Sequence, residues 1–78
     1  MVDVKLDNLF EKKFRKIKDD FLKEQIKKII ENPEIGKPMR YARKDTREVY
    51  VGNFRLSYAY TPHENKIIFL DIYHKDEQ

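Results

Sequence analysis

Cysteine and tryptophan are absent from the 78 residues, serine occurs once, and histidine and glycine occur twice each. Each shortage removes a class of chemistry. Without cysteine there is no disulfide, no thiolate zinc site and no sulfur nucleophile, which fits an intracellular chain. The single serine, Ser57, falls inside a sheet-forming run rather than on an exposed elbow, which argues against a serine triad. The histidines, His63 and His74, read as a turn residue and a strand-end residue, and no carboxylate cluster has ligand spacing, so no metal is expected. Two glycines, Gly36 and Gly52, do not make a phosphate-cradling loop. The longest uncharged apolar run is "IIFL", far short of the ~20 residues of a membrane span. The opening "MVDVKLDNLF" has no signal-peptide core. The chain is therefore expected to be soluble and cytoplasmic. A chain this small buries only about 60% of its unfolded surface. One domain over residues 1–78, without a cofactor, is the expectation.

What remains is apolar, aromatic and charged. Hydrophobic and charged residues each make up 40% of the chain, and ten residues are Phe or Tyr. The net charge is +3 and the pI about 9.1, a weak pointer to an anionic partner. The excess is local. Residues 1–36 carry nine Lys/Arg against eight Asp/Glu, whereas residues 37–61 carry six (Lys37, Arg40, Arg43, Lys44, Arg47, Arg55) against two (Asp45, Glu48).

Val2, Val4 and Leu6 alternate with polar residues and predict a short strand. From Asn8 the period becomes helical. Leu9, Phe10, Phe14 and Ile17 mark one face, and Leu22, Ile26, Ile29 and Ile30 mark a second, with Asp19 or Asp20 as its cap. Two stacked helices bury these faces more easily than one long bent helix. Pro33 ends the second near Asn32. After "NPEIGKPM", the runs "REVYV", "FRLSYAY" and "KIIFLDIYH" predict three antiparallel strands, with "GN" as a two-residue hairpin turn. Helices on one sheet face give an α+β fold.

The turn sets the register. Val51 should pair with Phe54 and Tyr50 with Arg55, placing Val49, Val51, Phe54, Leu56 and Tyr58 on the core face. Glu48, Tyr50, Arg55, Ser57 and Ala59 then share the open face. The last strand admits two parities. Turning Ile68, Leu70 and Ile72 inward puts Ile67, Phe69, Asp71, Tyr73 and Lys75 outward and His74 at the core edge. On that choice Ile67 and Phe69 are exposed and call for a protein partner. Arg55 would be central on the open face, salt-bridged to Glu48 or Asp71 or free to meet a ligand.

Arginines and lysines neutralise phosphates, and tyrosines offer planes for bases; "MRYARKDTREVYVGNFR" interleaves the two. RNA carries its own nucleophile, the 2′-hydroxyl, so its cleavage needs a base, an acid and cations near the phosphate. Arg55 and Lys75 suit the cations. His74 suits proton transfer, since imidazole ordinarily titrates near ~6.5. A strand-end histidine satisfied by the fold is the plainer reading.

The chain resembles the RelE/ParE superfamily, the toxins of type II toxin–antitoxin pairs, over nearly its whole length. "FEKKFRKIKDDFLKEQIKKIIENPEIGKPM" resembles that family's helical hairpin and "NP…GKPL" loop, "REVYVGNFRLSYAY" its "RVGDYRIIY" hairpin, and "KIIFLDIYHK" its last strand, which often ends "IGHR" or "YHY". The resemblance implies a small antiparallel sheet packed on an N-terminal helical hairpin. For the RelE branch it implies ribosome-dependent, metal-independent mRNA cleavage and a small RelB-like antitoxin as partner, besides the ribosome and mRNA. It implies that Arg55 contacts the scissile phosphate, that Lys75 is a second basic residue and that His74 is an acid/base. Arg40, Arg43, Lys44 and Arg47 would dock RNA with Tyr50 and Tyr73. At Glu48 and Tyr50 many members carry basic residues instead. ParE relatives with this fold act on DNA gyrase, and a degenerate relative would only bind its antitoxin; both readings stay open.

Overall fold

A computed structural model describes residues 2–38 and 46–77. Arg40, Arg43 and Lys44, expected to dock RNA, lie outside the described residues. The elements in chain order are β1 (Asp3–Leu6), α1 (Asn8–Lys16), α2 (Asp20–Glu31), β2 (Lys37–Pro38), β3 (Thr46–Val51), β4 (Phe54–Thr61) and β5 (Lys66–His74), followed by a 3₁₀ turn over Lys75–Glu77.

The helices start where short carboxylates cap them. Asp7 accepts from the Leu9 N–H at 3.0 Å and Asp19 from the Phe21 N–H at 2.9 Å, each satisfying an otherwise orphaned helix donor. Between them Ile17 is extended, so the chain breaks into two helices without glycine or proline. No helix among the described residues is long and apolar enough to cross a membrane.

The sheet order is β1-β5-β4-β3-β2. The three long strands pair antiparallel as expected, but β1 pairs parallel to β5, so the sheet is mixed rather than purely antiparallel. The β3–β4 register is the one that the two-residue turn dictates: Val51 opposite Phe54 and Tyr50 opposite Arg55. Gly52 has φ +58° and Asn53 does not take a positive φ, the type II′ pattern that matches strand twist.

Phe10, Leu22 and Ile29 of the helices meet Val51, Leu56, Tyr58, Ile67, Phe69 and Ile72 of the sheet in one buried cluster. This corrects the parity expected for β5. Ile67 and Phe69 are fully buried, with the Phe69 ring stacked on Phe10 at 5.3 Å. The reason is a bulge. Ser57 pairs with Asp71 and Tyr58 with Phe69, leaving Leu70 without a paired partner and switching the phase of the strand. Before it Ile67 and Phe69 face the helices; beyond it Ile72 does. The apolar patch expected on the open face is thus part of the core.

Candidate functional site

Two cross-strand rows of the open face carry its polar and aromatic candidates. Directly opposed residues of antiparallel strands point to the same side. One row is Lys37–Glu48–Ser57 across β2, β3 and β4; the next is Tyr50–Arg55–Tyr73 across β3, β4 and β5. Tyr50 is 62% exposed, and the Arg55 guanidinium carbon sits 4.8 Å from the centre of its ring. This cation–π contact is worth about 0.5–1 kcal/mol at an exposed site. It holds the guanidinium on the sheet while leaving its N–H donors available.

Neither carboxylate expected to pair with Arg55 does so. Asp71 accepts from Lys13 Nζ of α1 at 2.9 Å. Glu48 accepts instead from the Tyr73 hydroxyl, at 3.1 Å to Oε2. To reach β3 from β5 the Tyr73 phenol crosses β4, in keeping with the burial of Ser57. Among the described residues, Arg55 has no ion-pair partner.

His74 lies on the other side of the sheet. It pairs with Phe54, whose ring meets the imidazole edge-on at 5.4 Å and 87°. The Asp76 N–H donates to His74 Nδ1 at 3.2 Å, a bond that requires an unprotonated Nδ1 and so places the proton of the neutral ring on Nε2. The Asp76 carboxylate stands 3.4 Å from the same Nδ1, ready to accept if that nitrogen is protonated. Lys75 is exposed, and its backbone N–H donates to the Asn53 carbonyl at 2.8 Å, which ties the end of β5 to the turn just before Arg55.

Arg47, expected to dock RNA, is likewise off the open face, paired with the core residue Tyr58. Its Nη1 donates to the carbonyls of Glu34 at 3.1 Å and Gly36 at 2.7 Å, clamping the segment after α2 onto β3. Beside it the Tyr58 hydroxyl donates to the Pro33 carbonyl at 2.7 Å and accepts from the Gly36 N–H at 3.0 Å. Burial pushes the Tyr58 pKa above its ordinary 10.0, against smaller opposing effects of the Gly36 bond and the Arg47 charge.

The structure therefore brings Tyr50, Arg55 and Tyr73 together, ties the Lys75 backbone to the turn before Arg55, and separates His74 and Arg47 by side of the sheet. Sequence reasoning missed Lys37 and the Glu48–Tyr73 bond. Lys37 was legible only through its pairing with Glu48, and a two-residue strand gives no periodicity. No group of three or more metal-binding side chains occurs among the described residues.

The fold is shared with solved structures of low sequence identity. The isolated E. coli RelE toxin superposes with a TM-score of 0.80 at 16% identity, covering 95% of this chain and 84% of that one. The intact E. coli RelBE toxin–antitoxin complex gives 0.78 at 17%, covering 92% and 94%. The toxin–antitoxin complex RelBE2 from Mycobacterium tuberculosis gives 0.75 at 19%, covering 94% and 96%. No curated protein matches by sequence. The model of the ParE toxin family of type II toxin–antitoxin systems, parDE, matches residues 4–78. With a family match over nearly its full length and a RelE-like fold, the chain belongs to the RelE/ParE superfamily of type II toxin–antitoxin toxins.

Proposed function

We propose that this toxin cleaves mRNA on the ribosome and so inhibits translation. The observation that carries the reading is Arg55: a guanidinium on an open sheet face, free of carboxylates, stacked on an exposed tyrosine. A phosphate meets the free N–H donors while a neighbouring base stacks on Tyr50. The RNA 2′-hydroxyl supplies the nucleophile, so the protein needs only to position the backbone, accept and return protons and neutralise the charge that grows on the phosphate. Arg55 supplies that charge, with Lys75 beside the turn as a second cation. His74, at the strand end on the other side of the sheet, acts in this reading only as a relay of protons to and from solvent around the sheet edge. Tyr73 and the segment with Arg40, Arg43 and Lys44 complete the RNA-docking set, while Arg47 is engaged in the clamp to the Glu34 and Gly36 carbonyls. The partner is a small RelB-like antitoxin, in keeping with the toxin–antitoxin complexes of the same fold.

A gyrase-directed reading is favoured by the ParE family match and by the sheet standing between His74 and Arg55. Inducing the toxin in cells separates the two. An RNase stops protein synthesis first, with new mRNA ends inside reading frames. A gyrase poison produces DNA breaks while translation continues. An expressed, folded chain that leaves growth unchanged removes both readings and leaves antitoxin binding alone.

A further inference from the structure

We propose that Glu48 is the general base of this site, the group that takes the proton from the attacking 2′-hydroxyl. The inference rests on the RNA-cleavage reading above and deepens it. His74 is on the helix side of the sheet, whereas a base must reach the same phosphodiester that Arg55 holds. Glu48 is on that face, one cross-strand row from Arg55. An ionised carboxylate is an acceptor only, as a base requires. The Tyr73 hydroxyl holds its Oε2 at 3.1 Å, which orients the carboxylate and leaves Oε1 without a hydrogen bond among the described residues. The groups facing Glu48 across this surface are Lys37 from β2, Tyr50 on its own strand, Arg55 from β4 and Tyr73 from β5.

The step balances with groups already named and solvent. The 2′-hydroxyl proton passes to Glu48 Oε1, and the freed electron pair of the 2′-oxygen forms the bond to phosphorus. The bond from phosphorus to the 5′-oxygen breaks, its electron pair stays on that oxygen, and a water molecule protonates it. The products are a 2′,3′-cyclic phosphate and a 5′-hydroxyl. Arg55 neutralises the non-bridging oxygens throughout. Tyr73 acts through Glu48 and is a positioning residue.

The test is single-turnover cleavage of a synthetic mRNA bound to programmed ribosomes, followed across acidic to neutral pH. Wild type is expected to slow toward acid, where a general base is lost to protonation. Glu48→Gln, which preserves shape and the Tyr73 bond, should be slowed about 100-fold or more and lose that acid limb. Glu48→Asp, which keeps a carboxylate, should retain the limb at a reduced rate. An RNA whose 5′-bridging oxygen is replaced by sulfur needs no leaving-group proton, so Glu48→Gln should stay slow on it. Wild-type rate and pH profile in Glu48→Gln, or its rescue by the sulfur substrate, overturns the assignment while the RNA-cleavage reading stands. Absence of cleavage by wild type overturns both. Circular dichroism of each variant establishes that it is folded, and the two substitutions bear on the question independently.

Discussion

Gly36→Ala tests whether the segment after α2 is held to the sheet as described. A methyl group at this position would lie 2.7 Å from Tyr58 Oη, 3.0 Å from Tyr58 Cε1 and 3.1 Å from Arg47 Cβ. The first distance is closer than carbon and oxygen tolerate, and neither neighbour yields freely. Arg47 Cβ is fixed directly to the backbone of a strand, and Tyr58 is 0% exposed. Glycine is required here for space, since Gly36 does not take a positive φ. Relief means moving the segment and breaking both bonds of the Tyr58 hydroxyl. Two hydrogen bonds contribute about 1 kcal/mol each, a buried hydroxyl left unpaired costs about 1–3 kcal/mol, and overpacking costs about 1–3 kcal/mol. These terms overlap, so we expect a loss of about 3 kcal/mol, or roughly 12–24 °C in Tm for a domain of this size. Urea unfolding of wild type, Gly36→Ala, Tyr58→Phe and the double variant measures it. The double variant should be clearly less destabilised than the sum of the two, because both substitutions remove the same bonds. A Gly36→Ala protein within about 0.5 kcal/mol of wild type, the range of an ordinary surface substitution, would refute the packing described.

Two further outcomes follow from the same core. Tyr58 is harder to ionise folded than unfolded, so above its ordinary pKa of 10.0 the unfolded chain holds fewer protons than the native one and stability falls as pH rises; Tyr58→Phe should show a shallower alkaline fall in urea unfolding, and an identical slope would contradict the burial assigned to this hydroxyl. Phe69→Ala should lose about 3–5 kcal/mol, as expected for a buried phenylalanine, whereas Ile68→Ala on the half-buried side of β5 should lose less; the reverse order in denaturant melts would mean that the bulge at Leu70 is misplaced.

The legible parts of the fold were those with local causes. Asp19 as a cap, Pro33 as a stop and Gly52 as the turn residue each act within a few positions, and the β3–β4 register follows from one of them. Tyr50 and Arg55 were placed on the open face for that reason. The phase of β5 was not legible because Ile67, Ile68, Phe69 and Leu70 are all apolar, so alternation favours neither face, and the bulge that decides it depends on Phe69 meeting Phe10. The parallel pairing of β1 is likewise a tertiary choice. Arg47 read as one more cation in a basic stretch, yet its partners are carbonyls 11 and 13 residues away, and no local pattern encodes such a clamp. The Glu48–Tyr73 bond spans 25 residues and crosses an intervening strand.

The central claim is that Arg55 makes this face a phosphodiester-cleaving site. The most direct test maps mRNA 5′ ends after purified wild-type protein or Arg55→Ala is added to ribosomes stalled on a defined codon. The expected result is a new end within the A-site codon for wild type and none, or a trace, for Arg55→Ala of unchanged fold. Equal cleavage by the two proteins would contradict the role given to Arg55, and no cleavage by either would contradict the ribonuclease reading itself.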